Sequence, residues 1–130
     1  MPRKNEKVAI IGAGGFIGAA VFEELKKHYT AIGTAHSSKV DGTQKLDITD
    51  AGAVKKFISA SNPDAVLLMA AAARPDQCEQ DRAYADSVNV LGWRNVVDAC
   101  RASSPRFFYF STDFVFDGKK DTSYSEDDVV

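Results

Sequence analysis

A four-residue apolar run, Val8 to Ile11, passes directly into Gly12-Ala13-Gly14-Gly15-Phe16-Ile17-Gly18, and this junction constrains the chain more than any other stretch. A short all-apolar run suits a strand buried on both faces of a parallel sheet. Gly12 allows a tight turn out of that strand, Gly14 and Gly15 leave room for a pyrophosphate near the backbone, and Gly18 lets the following helix pack closely. A helix opening at Phe16 directs its free N–H groups and the positive end of its dipole at the turn, so an anion there needs no basic side chain. Phe16, Ala20, Val21 and Leu25 are expected on the core face of this helix, with Glu23, Glu24, Lys26 and Lys27 in solvent. A glycine turn of this kind can also serve structure alone. Its place between a buried-type strand and a helix is the context that dinucleotide binding requires.

The 130 residues suit one domain, residues 1–130, and a content of 45% hydrophobic and 26% charged residues allows a packed core. A formal net charge of -2, with no basic stripe, argues against nucleic acid as a partner. The opening MPRKNEKV has no apolar segment of signal-peptide length, and no later run approaches a membrane span, so a cytoplasmic protein without membrane contact is expected. Cys78 and Cys100 lack the spacing of a zinc site or a redox pair. No metal site is expected. Both thiols should be reduced, with Cys100 a small core residue.

Further along, Thr30 to Ala35 reads as a second strand and Thr43 to Leu46 as a short third. Thr49 or Asp50 can cap a helix carrying Val54, Phe57 and Ile58 at helical spacing, which Asn62-Pro63 ends. Ala65 to Met69 is another buried-type strand, and the small residues Ala70 to Ala73 after it offer a second place for close ligand approach. Arg74 to Asp81, polar and carrying Pro75, reads as a loop or broken turn. A long helix follows, with Ala85, Val88, Gly92, Asn95, Val96 and Ala99 on its sheet-facing stripe; Asn89 and Asn95 interrupt the apolar pattern and call for hydrogen bonds to a neighbouring loop. Arg106 to Ser111 is the last strand, before a turn-rich acidic tail. Alternating strands and helices predict an α/β fold, a doubly wound parallel sheet of the Rossmann type that stops after about five strands, in the order 3-2-1-4-5.

Taken together, GAGGFIG, LDITD, the alanines after AVLLM, SVNVLGWRN and STDFVFDG, in that order, resemble the extended short-chain dehydrogenase/reductases. Within them the pattern is most similar to the dTDP-4-dehydrorhamnose reductase family, with the regulatory beta subunits of methionine adenosyltransferase nearby. The resemblance covers essentially the whole chain, and LDITD and STDFVFDG are its most specific parts. It implies that the backbone of Gly15, Phe16 and Ile17 holds a pyrophosphate, that the Asp47 carboxylate accepts from an adenine amino group, and that Ile48 packs on the adenine ring. It also implies that Ala70, Ala71 and Ala72 line the ribose and nicotinamide side, and that Ser111 and Thr112 stand beside the nicotinamide. Thr112 matches the family's catalytic Ser/Thr, which polarises a substrate carbonyl. On the residues alone, Asp47 reads also as a turn or helix-capping carboxylate, and Thr112 as a strand-end hydroxyl bonded to its own loop.

Two departures from the family stand out. Met69 occupies a place where the reductases commonly have Asn. The family's Tyr-x-x-x-Lys pair lies some two dozen residues beyond its Ser/Thr, past Val130, and Tyr124 is followed by Ser-Glu-Asp-Asp. The resemblance therefore implies either the N-terminal half of a reductase of keto-sugar nucleotides or a non-catalytic nucleotide-binding regulatory or interaction module.

The second strand ends in Thr34-Ala35-His36-Ser37-Ser38-Lys39, with no carboxylate to take ribose hydroxyls. His36, Ser37, Ser38 and Lys39 suit a 2′-phosphate, so NADP(H) is expected over NAD(H). A last strand of Phe107, Phe108, Tyr109 and Phe110 at an open sheet edge predicts self-association or a partner chain along Arg106 to Ser111.

Overall fold

The computed structural model describes residues 5–38 and 40–130. Residues 1–4 of the charged opening segment, and Lys39 with its expected contact to a phosphate, lie outside the described residues. Five parallel strands form one sheet in the order β3-β2-β1-β4-β5: β1 Lys7–Ile11, β2 Thr30–Ala35, β3 Thr43–Lys45, β4 Ala65–Leu68 and β5 Arg106–Tyr109. β1 lies at the centre, and its alternating side chains supply both cores. Ala9 and Ile11 join Val54, Phe57, Ile58, Val66, Leu68 and Val96 on one face, while Val8 and Ile10 join Ala13, Phe22 and Ala65 on the other.

The first core is covered by helix α2, Ala51–Ser61, and by a long helix beginning at Arg82. Asp50 caps α2 by accepting from the Ala53 N–H at 2.9 Å, and Asn62 closes it in the left-handed conformation (φ 43°) just before Pro63. The second core is covered by α1, Phe16–Leu25. Its inward face differs from the expected one. Gly18 and Phe22 are buried and Val21 and Leu25 half-buried, whereas Ala20 is exposed and Phe16 is 98% exposed. The helix start is pressed so close to the turn that a Cβ on Gly18 would lie 2.1 Å from the Gly12 carbonyl oxygen. This contact fixes the rotation of α1 and turns Phe16 outward.

Strands β3, β4 and β5 end at Lys45, Leu68 and Tyr109, short of the expected Leu46, Met69 and Ser111. At β4 the cause is visible: the N–H groups of Met69 and Ala70 both donate to the Ile11 carbonyl, at 2.8 and 2.9 Å, and the ladder closes there. The segment expected as a loop after Arg74 contains a short helix, α3, Pro75–Gln80, whose proline stands in the first turn, where its missing N–H is no loss. The next helix comprises α4, Arg82–Asp86, a π-helical segment, Ser87–Gly92, and α5, Trp93–Cys100, with helical backbone at both junctions. Its sheet-facing stripe is as expected, with Gly92 and Val96 buried and Ala85, Val88, Asn95 and Ala99 half-buried. Cys100 is buried beside them, and burial pushes its thiol up to about 11, which leaves it unreactive near neutral pH.

Candidate functional site

A cleft of about 470 Å³ opens at the C-terminal ends of β1, β2 and β4, where the order of connection reverses. Its floor is the turn between β1 and α1. Gly12 adopts φ 105°, and a Cβ there would fall 2.5 Å from the Ala70 nitrogen, so a side chain is barred by both conformation and contact. The turn is held to β2 by the Thr34 carbonyl, which accepts from the N–H groups of Gly12 at 3.2 Å and Ala13 at 2.7 Å. At Gly14 a Cβ would meet the Ala35 side chain at 2.8 Å, so this glycine answers to packing against β2. At Gly15 the nearest atom would be 3.5 Å away, and space is open beside it. Gly15 is also the N-cap of α1, and no side chain caps the helix. The first N–H groups of α1 are therefore available to an anion.

One wall carries His36, Ser37 and Ser38 from the end of β2 and Asp47, Ile48 and Thr49 from the turn after β3; Ala70 and Ala71 form part of the opposite wall. The Asp47 Oδ1 accepts from the Thr49 N–H at 2.9 Å and the Thr49 hydroxyl at 2.7 Å. Its Oδ2 stands 3.6 Å from the His36 Nε2. The Thr49 hydroxyl, and after it the Thr49 N–H, hold the Asp47 carboxyl below its ordinary value, with the charges of His36 and Lys45 adding to the effect. Asp47 is therefore a turn carboxylate and a cleft carboxylate at once, since each role uses a different oxygen.

Of the other expected residues, the side chains of Phe16 and Ile17 stand out in solvent at the helix start, and Ala72 lies just beyond the cleft lining, where Asn89 binds both its backbone groups. Ser111 and Thr112 are exposed and do not line the cleft. The Thr112 hydroxyl accepts from the Phe114 N–H at 3.2 Å and donates to the Asp113 carboxylate at 3.3 Å, so it caps the short turn of its own loop. Sequence reasoning missed Thr34, Tyr84, Ser87 and Val88, which also line the cleft. The last three lie where α4 runs into the π-helical segment, and no local pattern marks them as cleft residues. The two interrupting asparagines do find loop partners. Asn89 accepts from the Ala72 N–H at 2.8 Å and donates to its carbonyl at 3.1 Å, and Asn95 donates to the carbonyls of Ile48 and Thr49.

No group of three or more His, Cys, Asp or Glu side chains among the described residues is placed to hold a metal ion. Among them, too, no helix is long and apolar enough to cross a membrane.

Residues 6–130 match the family model described as the RmlD substrate binding domain. The chain is similar to the methionine adenosyltransferase 2 subunit beta of Xenopus tropicalis, at 32% identity over 96% of this chain and 37% of that protein. It is equally similar to the dTDP-4-dehydrorhamnose reductase of Mycolicibacterium smegmatis, at 32% identity over 95% of this chain and 36% of the relative. Among solved structures, the dTDP-4-dehydrorhamnose reductase of Bacillus anthracis in complex with NADP superposes with a TM-score of 0.85 at 30% identity, over 98% of this chain and 43% of that one. The chain thus spans well under half the length of the relatives it matches.

Proposed function

The chain belongs to the family of the RmlD substrate binding domain, and from that premise we propose that it binds a nicotinamide dinucleotide in the cleft above β1, β2 and β4. The observation that carries this reading is the open space at Gly15 beside the uncapped start of α1, a cradle that a larger side chain would fill. The backbone N–H groups of Phe16 and Ile17 would take the pyrophosphate, and Gly15, whose own N–H donates to the Gly12 carbonyl at 3.1 Å, would leave room for it without a side chain. The Asp47 Oδ2, which stands 3.6 Å from the His36 Nε2, would accept from the adenine amino group, and Ile48 would support the ring. Ala70, Ala71 and Ala72 would border the ribose and nicotinamide, with Ser111 and Thr112 further along. The relative solved with NADP supports this choice of ligand. We further infer a preference for NADP(H) over NAD(H), because the end of β2 offers His36, Ser37 and Ser38 to a 2′-phosphate and no carboxylate to ribose hydroxyls.

The parent reaction in this reading is reduction of a keto-sugar nucleotide, in which the dinucleotide supplies hydride. Thr112 would contribute by polarising the carbonyl, after exchanging its present contacts with Asp113 and Phe114 for the substrate. Those contacts, and the likeness to a methionine adenosyltransferase beta subunit, favour a second reading as a nucleotide-binding regulatory module. Consumption of NADPH with a keto-sugar nucleotide would support the first reading, and binding without turnover the second.

Calorimetric titration tests the shared premise. Wild type should bind NADPH more tightly than NADH, and Gly15→Leu should bind neither. Asp47→Ala should weaken binding by about 1.5–3 kcal/mol, the usual worth of a hydrogen bond to a charged group. Equal affinity of wild type and Gly15→Leu for NADPH overturns the assignment; tighter NADH binding overturns the preference alone.

A further inference from the structure

The helix formed by the π-helical segment and α5 reaches across the sheet to the turn that carries Asp47 and Ile48, and it meets that turn at two positions three residues apart. Gly92 receives the Ile48 side chain: a Cβ at Gly92 would lie 2.7 Å from the Ile48 Cδ1. Asn95, one turn further, donates through Nδ2 to the Ile48 carbonyl at 2.9 Å and the Thr49 carbonyl at 3.2 Å, across 47 and 46 residues of sequence. Both partners are acceptors, so only the NH2 side of the Asn95 amide can face them, and its two hydrogens match two carbonyls. The rest of the turn is fastened to itself and, at its entry, to the end of β2, where the Leu46 N–H donates to the Ala35 carbonyl at 2.9 Å. The Asp47 Oδ1 is occupied by Thr49, and the Asp50 N–H donates to the Asp47 carbonyl at 3.2 Å. Such local bonds fix the shape of the turn but not its place in the cleft. The bond to Ala35 places its entry, and the hydrogen bonds to Asn95 with the seat at Gly92 place Ile48 and Thr49.

We propose that Asn95 is a positioning residue for the adenosine end of the cleft, holding the backbone of Ile48 and Thr49 so that the Asp47 Oδ2 and the Ile48 side chain stand where an adenine ring is read. The inference rests on the dinucleotide reading above and adds to it a residue that lines no part of the cleft. Asn95 touches no ligand in this arrangement and acts through the turn alone.

The probes are 5′-ADP, which carries the adenosine end, and inorganic pyrophosphate, which carries only the part bound at the Gly15 turn. Asn95→Asp keeps the volume but sets a carboxylate oxygen against two carbonyl oxygens; Asn95→Ser keeps one donor. In calorimetry Asn95→Asp should bind 5′-ADP about tenfold more weakly than wild type. Asn95→Ser should lose less, and the ratio of pyrophosphate affinities should stay near one. In an Asp47→Ala background the further loss from Asn95→Asp should be smaller than in wild type, since both changes act on one turn and only the placing of Ile48 is left to lose. Thermal melts establish that each variant is folded, and Asn95→Ser gives the reading where Asn95→Asp does not fold. Unchanged 5′-ADP affinity in a folded variant, equal weakening of both probes, or full additivity with Asp47→Ala each overturns the proposal. Failure of wild type to bind 5′-ADP at all overturns the dinucleotide reading beneath it.

Discussion

Asp47 spends one oxygen on the fold and leaves the other at the cleft, and this division makes a pH prediction. Its folded-state pKa is depressed below the ordinary value near 3.8, chiefly by the Thr49 hydroxyl. A depressed carboxylate contributes stability that is present above the unfolded-state pKa and is lost as pH falls through the lower folded value. Thr49→Val removes the largest cause. Its urea midpoint should therefore lie below that of wild type at pH 7 and approach it as the pH falls below the ordinary carboxylate value and through the lowered one, with the Asp47 carboxyl titrating at higher pH by NMR. A constant gap between the two proteins across that range would show that Thr49 stabilises by packing and not through Asp47. Individual residues were unevenly legible in the sequence. The asparagines at 89 and 95 stood out because amides on an apolar stripe demand partners, and partners are present. Thr112 stood out only by resemblance, and its hydroxyl is engaged within its own loop.

Elements whose signals are local were read correctly from sequence, and those shaped by a neighbour were not. β2 runs from Thr30 to Ala35 as expected, because its glycine and the polar residues after it mark its limits. α1 begins at Phe16 as expected and turns Val21 and Leu25 toward the core, yet Phe16 and Ala20 face outward, since close contact between Gly18 and the Gly12 carbonyl sets its rotation and periodicity alone cannot register that. The π-helical segment was equally invisible; its residues continue a helical pattern, and only the packing against two cleft walls reveals the altered pitch. α2 offers a stability test at this scale. Asp50 supplies its N-cap through the bond to the Ala53 N–H, so Asp50→Ala should destabilise the protein by about 1 kcal/mol in urea unfolding while leaving dinucleotide affinity nearly unchanged. A large loss of affinity would show that the cap also governs the Asp47 turn.

At the scale of the molecule the two faces of the sheet are unequally covered. The register aligns Ile10, Leu67 and Phe108 in one row, and α1 lies over the β1 end of that face, while Phe108 remains 48% exposed on β5. Tyr109 and Phe110 are 52% and 54% exposed beside it. Among the described residues β5 pairs only with β4, so an apolar strand edge faces outward. Such an edge is a template for pairing, and association of a second copy of this chain along it is the expected outcome. Light scattering should show concentration-dependent association that Phe108→Lys diminishes; a monomer at every accessible concentration, for wild type as for the variant, excludes the second copy. The central position of β1 also has a consequence for the order of events in time. Val8 pairs with Ala31 on one side and Ala65 on the other, so the strand that leads the sheet in sequence acquires its second neighbour only after the intervening β2, β3 and α2 have been spanned. Pairing of β1 with β4 therefore waits on a long loop closure, and until it is made β1, the strand that feeds the glycine turn, presents an unpaired edge of its own.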